Sequence, residues 1–131
     1  STPIKSSAAS DVYKRQPIFR NIHLSNVTGN DIKRIGYIKG IEEMPISELS
    51  FSNMNIVAGK GFQAETATDI RFNNVSFTVE EGPSLNIRQC KDIFLNDVRT
   101  KQPIAGQPVV DLEAIENLSI IHCDSTQIIR K

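Results

Sequence analysis

Apolar and polar residues alternate in one short phrase that occurs five times along the chain. Each copy places Ile or Leu, a second bulky apolar residue and then Val, Met or Cys at fixed positions, with a polar residue before the last of these. The copies are "NIHLSNVTG" (21–29), "ELSFSNMNI" (48–56), "DIRFNNVSF" (69–77), "DIFLNDVRT" (92–100) and "NLSIIHCDS" (117–125). Their first apolar residues are Ile22, Leu49, Ile70, Ile93 and Leu118, in steps of 27, 21, 23 and 25 residues. Such a period is typical of solenoids and other repeat architectures.

The repeat extends beyond this phrase. Apolar residues lie eight positions before the first apolar residue of the phrase, at Ile41, Phe62, Leu85 and Val110, and three positions before it, at Phe19, Ile46, Ala67, Cys90 and Ile115. Apolar residues two apart indicate strands with one buried face. The connections "TVEEGPS" and "TKQPIAGQP" have turn compositions. The longest connection, residues 27–46, is expected to be a loop that could contain one helical turn.

Short strands at this period predict an all-β fold, a right-handed parallel β-helix of about five coils. Each coil would add one strand to each of two or three parallel sheets. The alternative is a leucine-rich repeat, whose period overlaps; the strand pattern of the return segments favours the β-helix. The polar positions of the phrase, Asn26, Asn53, Asn74, Asp97 and His122, predict a structural ladder at a corner, because Asn tolerates the left-handed backbone and can bond along a stack.

The first sixteen residues do not follow the pattern. The stretch "SSAASDVYKRQ" contains no copy of the phrase and stops abruptly at Pro17. It is similar to translated adapter sequence, so we interpret residues 1–16 as a non-native or disordered leader; a genuine polar linker is the alternative. Residues 17–131 are then expected to be the coils, truncated at their N-terminal side.

Charge and composition narrow the class of protein. The chain has 131 residues, of which 39 % are hydrophobic and 23 % charged, and fifteen cationic residues balance fifteen acidic ones. A balanced charge favours neither a nucleic acid nor a membrane surface as a partner, and no apolar run is long enough to span a bilayer. Cys90 and Cys123 occupy apolar columns, as expected for buried thiols. Only His23 and His122 could join them as metal ligands, so these residues suggest neither a metal site nor a cofactor.

Three segments resemble the C-terminal coils of glycoside hydrolase family 28, the polygalacturonase-like family, and especially its bacterial members. They are "PIFRNIHLSNVTG", "GYIKGIEEMPISELSFSNMNI" and "GFQAETATDIRFNNVSF", with "EMPI" the most specific part. The resemblance implies a parent that hydrolyses α-linked galacturonic acid or related pectic sugars with inversion, acting as a monomer in the periplasm or outside the cell. Inversion needs two carboxyl groups ~6.5–9.5 Å apart.

The catalytic signatures of that family are missing from this chain. It contains no Asn-x-Asp, Asp-Asp or Gly-His-Gly, and its one Arg-x-Lys, at Arg99 and Lys101, lies downstream of "PIFRNI" where the family has it upstream. We therefore predict no catalytic residue here. Asp111 and Glu113 share one strand face, with Cα atoms ~6.6 Å apart, but are expected to be solvated.

A contact with substrate is the more reasonable role for side chains of the long connection. Lys33, Arg34 and Lys39 suit the carboxylate of galacturonate, and Tyr37 suits stacking on a sugar ring. The alternative is a basic surface loop. The competing functions are a non-catalytic carbohydrate-binding or adhesin-like β-helix, and a polysaccharide lyase, for which the chain lacks a calcium-binding Asp cluster.

Overall fold

The computed structural model describes residues 20–43 and 46–131. Within them lie eight strands: β1 (Arg20–Lys39), β2 (Ile46–Glu65), β3 (Ala67–Val79), β4 (Leu85–Arg88), β5 (Lys91–Arg99), β6 (Val110–Glu113), β7 (Glu116–Ile121) and β8 (Ile128–Arg130). A 3₁₀ turn spans Ser125–Gln127. All paired strands are parallel, and the chain winds into a right-handed parallel β-helix of about four turns. The predicted fold class is confirmed.

The five copies of the phrase stack as five layers. Ile22 pairs with Leu49, Leu49 with Ile70, Ile70 with Ile93, and Ile93 with Leu118. The register therefore has the same steps as the sequence repeat. Residues 1–16, interpreted above as a leader, lie outside the described residues, as do Phe19 and the Met-Pro pair of "EMPI".

Each coil has three faces, and single residues with left-handed backbone lie at the corners before and after the first of them. One corner is turned by Asn26, Asn53, Asn74, Asp97 and His122, whose φ angles lie between 54° and 58°. Face 1 precedes this corner, as in 70–73, and face 2 follows it, as in 75–79. Face 3 contains the C-terminal ends of β1 and β2 together with β4, β6 and β8.

The core fills the space between the faces. Apolar side chains from successive layers stack into one cluster, which includes Leu49, Ile70, Leu85 and Ile93, all at most 1 % exposed. Four phenylalanines meet at its centre: Phe51 stacks on Phe72 with ring centroids 4.9 Å apart, and the edges of Phe62 and Phe77 pack against Phe72. Burying a side chain of this size stabilises a fold by ~1.5–3 kcal/mol.

The prediction of a loop over residues 27–46 is wrong. β1 runs through it as far as Lys39, and its Ile32 and Ile38 pair with Ala58 and Ala64 of β2. A register shift between Gly29 and Ile32 disturbs the two-residue alternation and so conceals the strand in the sequence.

Ile41 was also misplaced by the sequence pattern. It was expected in the column of Phe62, but Gly36 occupies that position, and Ile41 is 52 % exposed. Six residues separate Lys39 from Ile46, whereas Thr66 alone separates their pairing partners Glu65 and Ala67. The extra residues form an insertion at this corner, and counting back from Leu49 across it gives the wrong residue.

Candidate functional site

The outer surface of face 3 is the candidate functional site, because it presents polar side chains from the first four layers. On β4 and β6 the apolar residues are buried and the intervening residues are partly exposed. This alternation directs Asn86 and Arg88 outward from β4, and Asp111 and Glu113 outward from β6. Two parallel columns of polar residues result, with ~4.8 Å between layers.

Three of the four predicted substrate-binding residues lie on this surface. Arg34, Tyr37 and Lys39 pair with Lys60, Gln63 and Glu65 of the next layer. All three are exposed, Tyr37 by 50 %. They are held by a strand rather than by the predicted loop. Lys33 lies apart from them and lines a neighbouring depression with Asp31, Glu80 and Glu81.

One of the two columns alternates in charge. From the first layer to the fourth it consists of Lys39, Glu65, Arg88 and Glu113. Arg88 donates from Nη1 to Glu113 Oε1 and from Nε to Asn86 Oδ1 at 3.2 Å. Opposite charges on adjacent strands stabilise a sheet and its register. In this column the Arg88–Glu113 ion pair joins the third and fourth layers, and the alternation leaves little net charge to attract a ligand.

Asp111 and Glu113 share the outer face of β6, as the sequence indicated. Each is next to a cation: Glu113 bonds to Arg88, and the Asp111 carboxylate lies 3.9 Å from Lys131 Nζ. The Asp111 side chain is 16 % exposed. Two carboxylates engaged in this way on one strand do not face each other across a gap for water. They lack the arrangement that inverting hydrolysis requires.

A depression of about 160 Å³ adjoins the polar columns. Arg34 and Lys60 supply two cations to it, Gln63 and Asn86 supply two amides, and Glu81 supplies one carboxylate. A guanidinium and an ammonium group suit an anionic ligand, and amides suit hydroxyl groups. The depression therefore has the chemistry of a site for a small acidic, hydroxylated molecule.

Close backbone approach forms one wall of this depression. The Phe62 amide donates to Ser84 O at 2.9 Å, and a Cβ atom on Gly61 would lie only 2.3 Å from that same oxygen. Only glycine lets β2 approach the turn around Gly82 and Pro83 so closely. Lys60, Gln63 and Asn86 were not predicted as site residues. For Gln63 and Asn86 the signal available was the polar position between apolar ones in "GFQAE" and "SLNIR"; Lys60 lies outside both stretches.

The predicted polar ladder lies at the corner between faces 1 and 2, away from this depression. Asn74 Nδ2 donates to Asn53 Oδ1 at 2.9 Å, and Arg99 Nη1 donates to Asn74 Oδ1 at 3.0 Å. His122 Nδ1 contacts Asn96 Oδ1, in the neighbouring column, at 3.0 Å. The positive φ angles and these bonds account for the side chains present.

The surroundings of Arg99, Lys101 and Cys90 are those of structural residues. Arg99 also forms an ion pair with Asp97 at 3.2 Å, and Lys101 is exposed. Burial raises the pKa of the Cys90 thiol, although hydrogen bonds with the backbone at Ala67, Arg88 and Thr66 oppose the shift. Within residues 20–43 and 46–131, no three His, Cys, Asp or Glu side chains group as ligands for a metal ion.

Fold and surface together define a parallel β-helix protein with polar outer faces. Comparison with models of protein families, with curated proteins and with solved structures finds no match for this chain. In the part of the chain that the structure describes, no helix has the length and apolar character needed to cross a membrane.

Proposed function

We propose that this chain is a non-catalytic part of a pectin-degrading glycoside hydrolase similar to family 28. The parallel β-helix agrees with what the resemblance of "PIFRNIHLSNVTG" and the segments after it implies. The parent would hydrolyse α-linked galacturonic acid or related pectic sugars. The acid and base of the inverting reaction would come from other coils of that parent, because the signature motifs are absent from this sequence.

The depression beside face 3 is the observation that carries the proposal. It places Arg34 and Lys60 next to the amides of Gln63 and Asn86. The cations would bind the galacturonate carboxylate, and the amides would bind its hydroxyl groups. Tyr37 pairs with Gln63 and is exposed on the same surface, where its ring could stack on the next sugar. In this role the chain binds and orients the polymer.

Titration with tetragalacturonate tests this role on the full chain. Amide signals of residues around Lys60 and Asn86 are followed by NMR. Arg34→Ala and Lys60→Ala are expected to weaken binding, whereas Lys101→Ala, which removes an exposed cation that does not line the depression, should leave it unchanged. Equal effects of all three variants would indicate only nonspecific charge attraction and would contradict the proposal.

Sequencing the source DNA upstream of Pro17 tests the catalytic part. The proposal expects coils with Asn-x-Asp, Asp-Asp, Gly-His-Gly and Arg-x-Lys, and release of reducing sugar from polygalacturonate by the longer protein. The second candidate is a non-catalytic carbohydrate-binding β-helix. Upstream coils without paired acids would establish it.

A further inference from the structure

A second and larger groove lies on face 1, remote from the depression beside face 3. It has a volume of about 560 Å³ and crosses four layers, from Glu48 through Asp69 and Asp92 to Asn117. Three steps of ~4.8 Å give it a length of about 14 Å, roughly that of a three-residue sugar chain. The four residues have φ angles between 58° and 63°, so the groove follows a left-handed corner of the solenoid.

Phe94 supplies the apolar surface of this groove. The other described phenylalanines, Phe51, Phe62, Phe72 and Phe77, are buried in the core, but Phe94 is half-buried and lines the groove. It pairs with Arg71 on one side and Ser119 on the other, on the outer side of the sheet. An aromatic ring exposed among polar groups offers a flat platform for an apolar ligand surface.

Planar polar groups surround this platform. Asn117 Nδ2 donates to Asp92 Oδ1 at 2.6 Å, and Arg71 Nε donates to Asp69 Oδ1 at 3.2 Å. Thr68 and Ser119 add hydroxyl groups to the lining. These bonds orient the carboxylates and leave their second oxygens available to accept from ligand hydroxyls. A ring stacked on Phe94 would thus meet hydrogen-bonding groups at its edges.

The charge of the groove determines which ligand fits. Glu48, Asp69 and Asp92 contribute three carboxylates, against the single guanidinium of Arg71. The net negative charge repels uronate polymers, in contrast to the cations of the depression beside face 3. Sugars have apolar ring faces and hydroxyl edges without charge, so they fit both the aromatic platform and the acidic rim.

We infer that the face 1 groove binds an uncharged oligosaccharide chain, with Phe94 as the stacking platform and Asp92 and Asn117 as hydroxyl-binding groups. This site is independent of the proposed function, because it uses a different face and a different class of sugar. In a plant cell wall polymer mixture, the two faces would hold the protein to neutral and acidic chains at once.

The test titrates the full chain, by NMR, with three neutral tetrasaccharides: β-1,4-galactotetraose, xylotetraose and cellotetraose. We expect at least one of them to shift the amides of residues 92–94 and 117–119. Phe94→Ala should weaken that binding about tenfold, while Phe94→Tyr, which keeps the ring, should retain it. Circular dichroism of each variant establishes that it is folded.

Tetragalacturonate provides the separating control. It should not shift the face 1 amides of the wild-type chain, whatever it does around Lys60 on face 3. Absence of face 1 shifts with all three neutral sugars, or binding that Phe94→Ala leaves unchanged, would overturn the inference without affecting the proposed function. Conversely, failure of tetragalacturonate to bind near Lys60 would contradict only the proposed function.

Discussion

The middle and the outermost layers of this solenoid have the same types of apolar residue at inward positions, but these side chains are buried to different extents. One inward column consists of Leu24, Phe51, Phe72, Leu95 and Ile120. Leu95, in the fourth layer, is fully buried, whereas Leu24, in the first, is 44 % exposed. Within the described residues β1 pairs with β2 alone, whereas β5 pairs with both β3 and β7. Burial in this fold therefore depends on having a neighbour on both sides along the axis.

A matched pair of leucine truncations gives the largest expected contrast. Leu95→Ala should lower the free energy of unfolding by ~2–5 kcal/mol, because it leaves a cavity between two packed layers. Leu24→Ala should cost about 1 kcal/mol or less, since much of that side chain is already in water.

Urea denaturation of the two variants and the wild type measures this difference. The comparison requires one cooperative transition in all three, because repeat proteins can unfold in parts. Equal losses for Leu95→Ala and Leu24→Ala would mean that the first layer is covered as fully as the fourth.

The second contrast uses two glycines. Alanine at Gly61 would place its Cβ 2.3 Å from Ser84 O and 2.5 Å from Pro83 O. Because backbone must move, we expect Gly61→Ala to lower the free energy of unfolding by ~1–3 kcal/mol. At Gly36 the nearest atom is Phe62 Cδ1, at 2.9 Å; this is a side-chain atom of the second layer rather than backbone, so we expect a smaller loss.

Thermal denaturation of Gly61→Ala and Gly36→Ala tests whether a clash with backbone costs more stability than a clash with a side chain. A smaller loss for Gly61→Ala than for Gly36→Ala would contradict this view. If Gly61→Ala loses tetragalacturonate binding and Gly36→Ala retains it, the close backbone approach at Gly61 is needed to shape the wall of the face 3 depression.

The same contrast explains which parts of the fold could be predicted from sequence. In the middle layers the repeat is nearly uniform: Phe62, Leu85 and Val110 are one column in the sequence and in the structure. In the first layer, the insertion of five residues before Ile46 and the shift after Gly29 disturb the spacing of the repeat. For that reason the periodicity misplaces Ile41 and indicates a loop where the strand carrying Arg34 and Tyr37 lies.

The candidate sites were less accessible to sequence reasoning than the core. Core positions repeat because every layer has the same inward neighbours, so their periodicity identifies them. A surface site has no such period: Lys60 and Asn86 meet Glu81 only because a turn folds back over Gly61. Phe94 occupies an outward position of the repeat. It differs from the other described phenylalanines because they are buried in the core and it is not.

The third contrast separates the side-chain hydrogen bonds of the polar ladder from the positive φ angles of its residues. Asn74→Gly and Asn26→Gly both retain a residue suited to positive φ, but only the first removes the bonds to Asn53 and Arg99. We expect Asn74→Gly to lower the free energy of unfolding by ~0.5–1.5 kcal/mol more than Asn26→Gly. Urea denaturation of the two variants measures this. Equal losses would show that the left-handed corner alone requires these residues.

The smallest expected effect concerns Cys90, a core thiol of the middle layers that is 3 % exposed. Burial raises the pKa of its thiol above the ordinary value of 9.0, so the folded chain keeps the proton that the unfolded chain loses first. The associated stability is complete below pH ~9 and is lost as the pH rises through the folded-state pKa. Cys90→Val removes this group, so its free energy of unfolding should fall less steeply above pH ~9 than that of the wild type. Identical pH profiles would mean that the fourth layer opens to water easily, and that the contrast between middle and outer layers is weaker than their burial indicates.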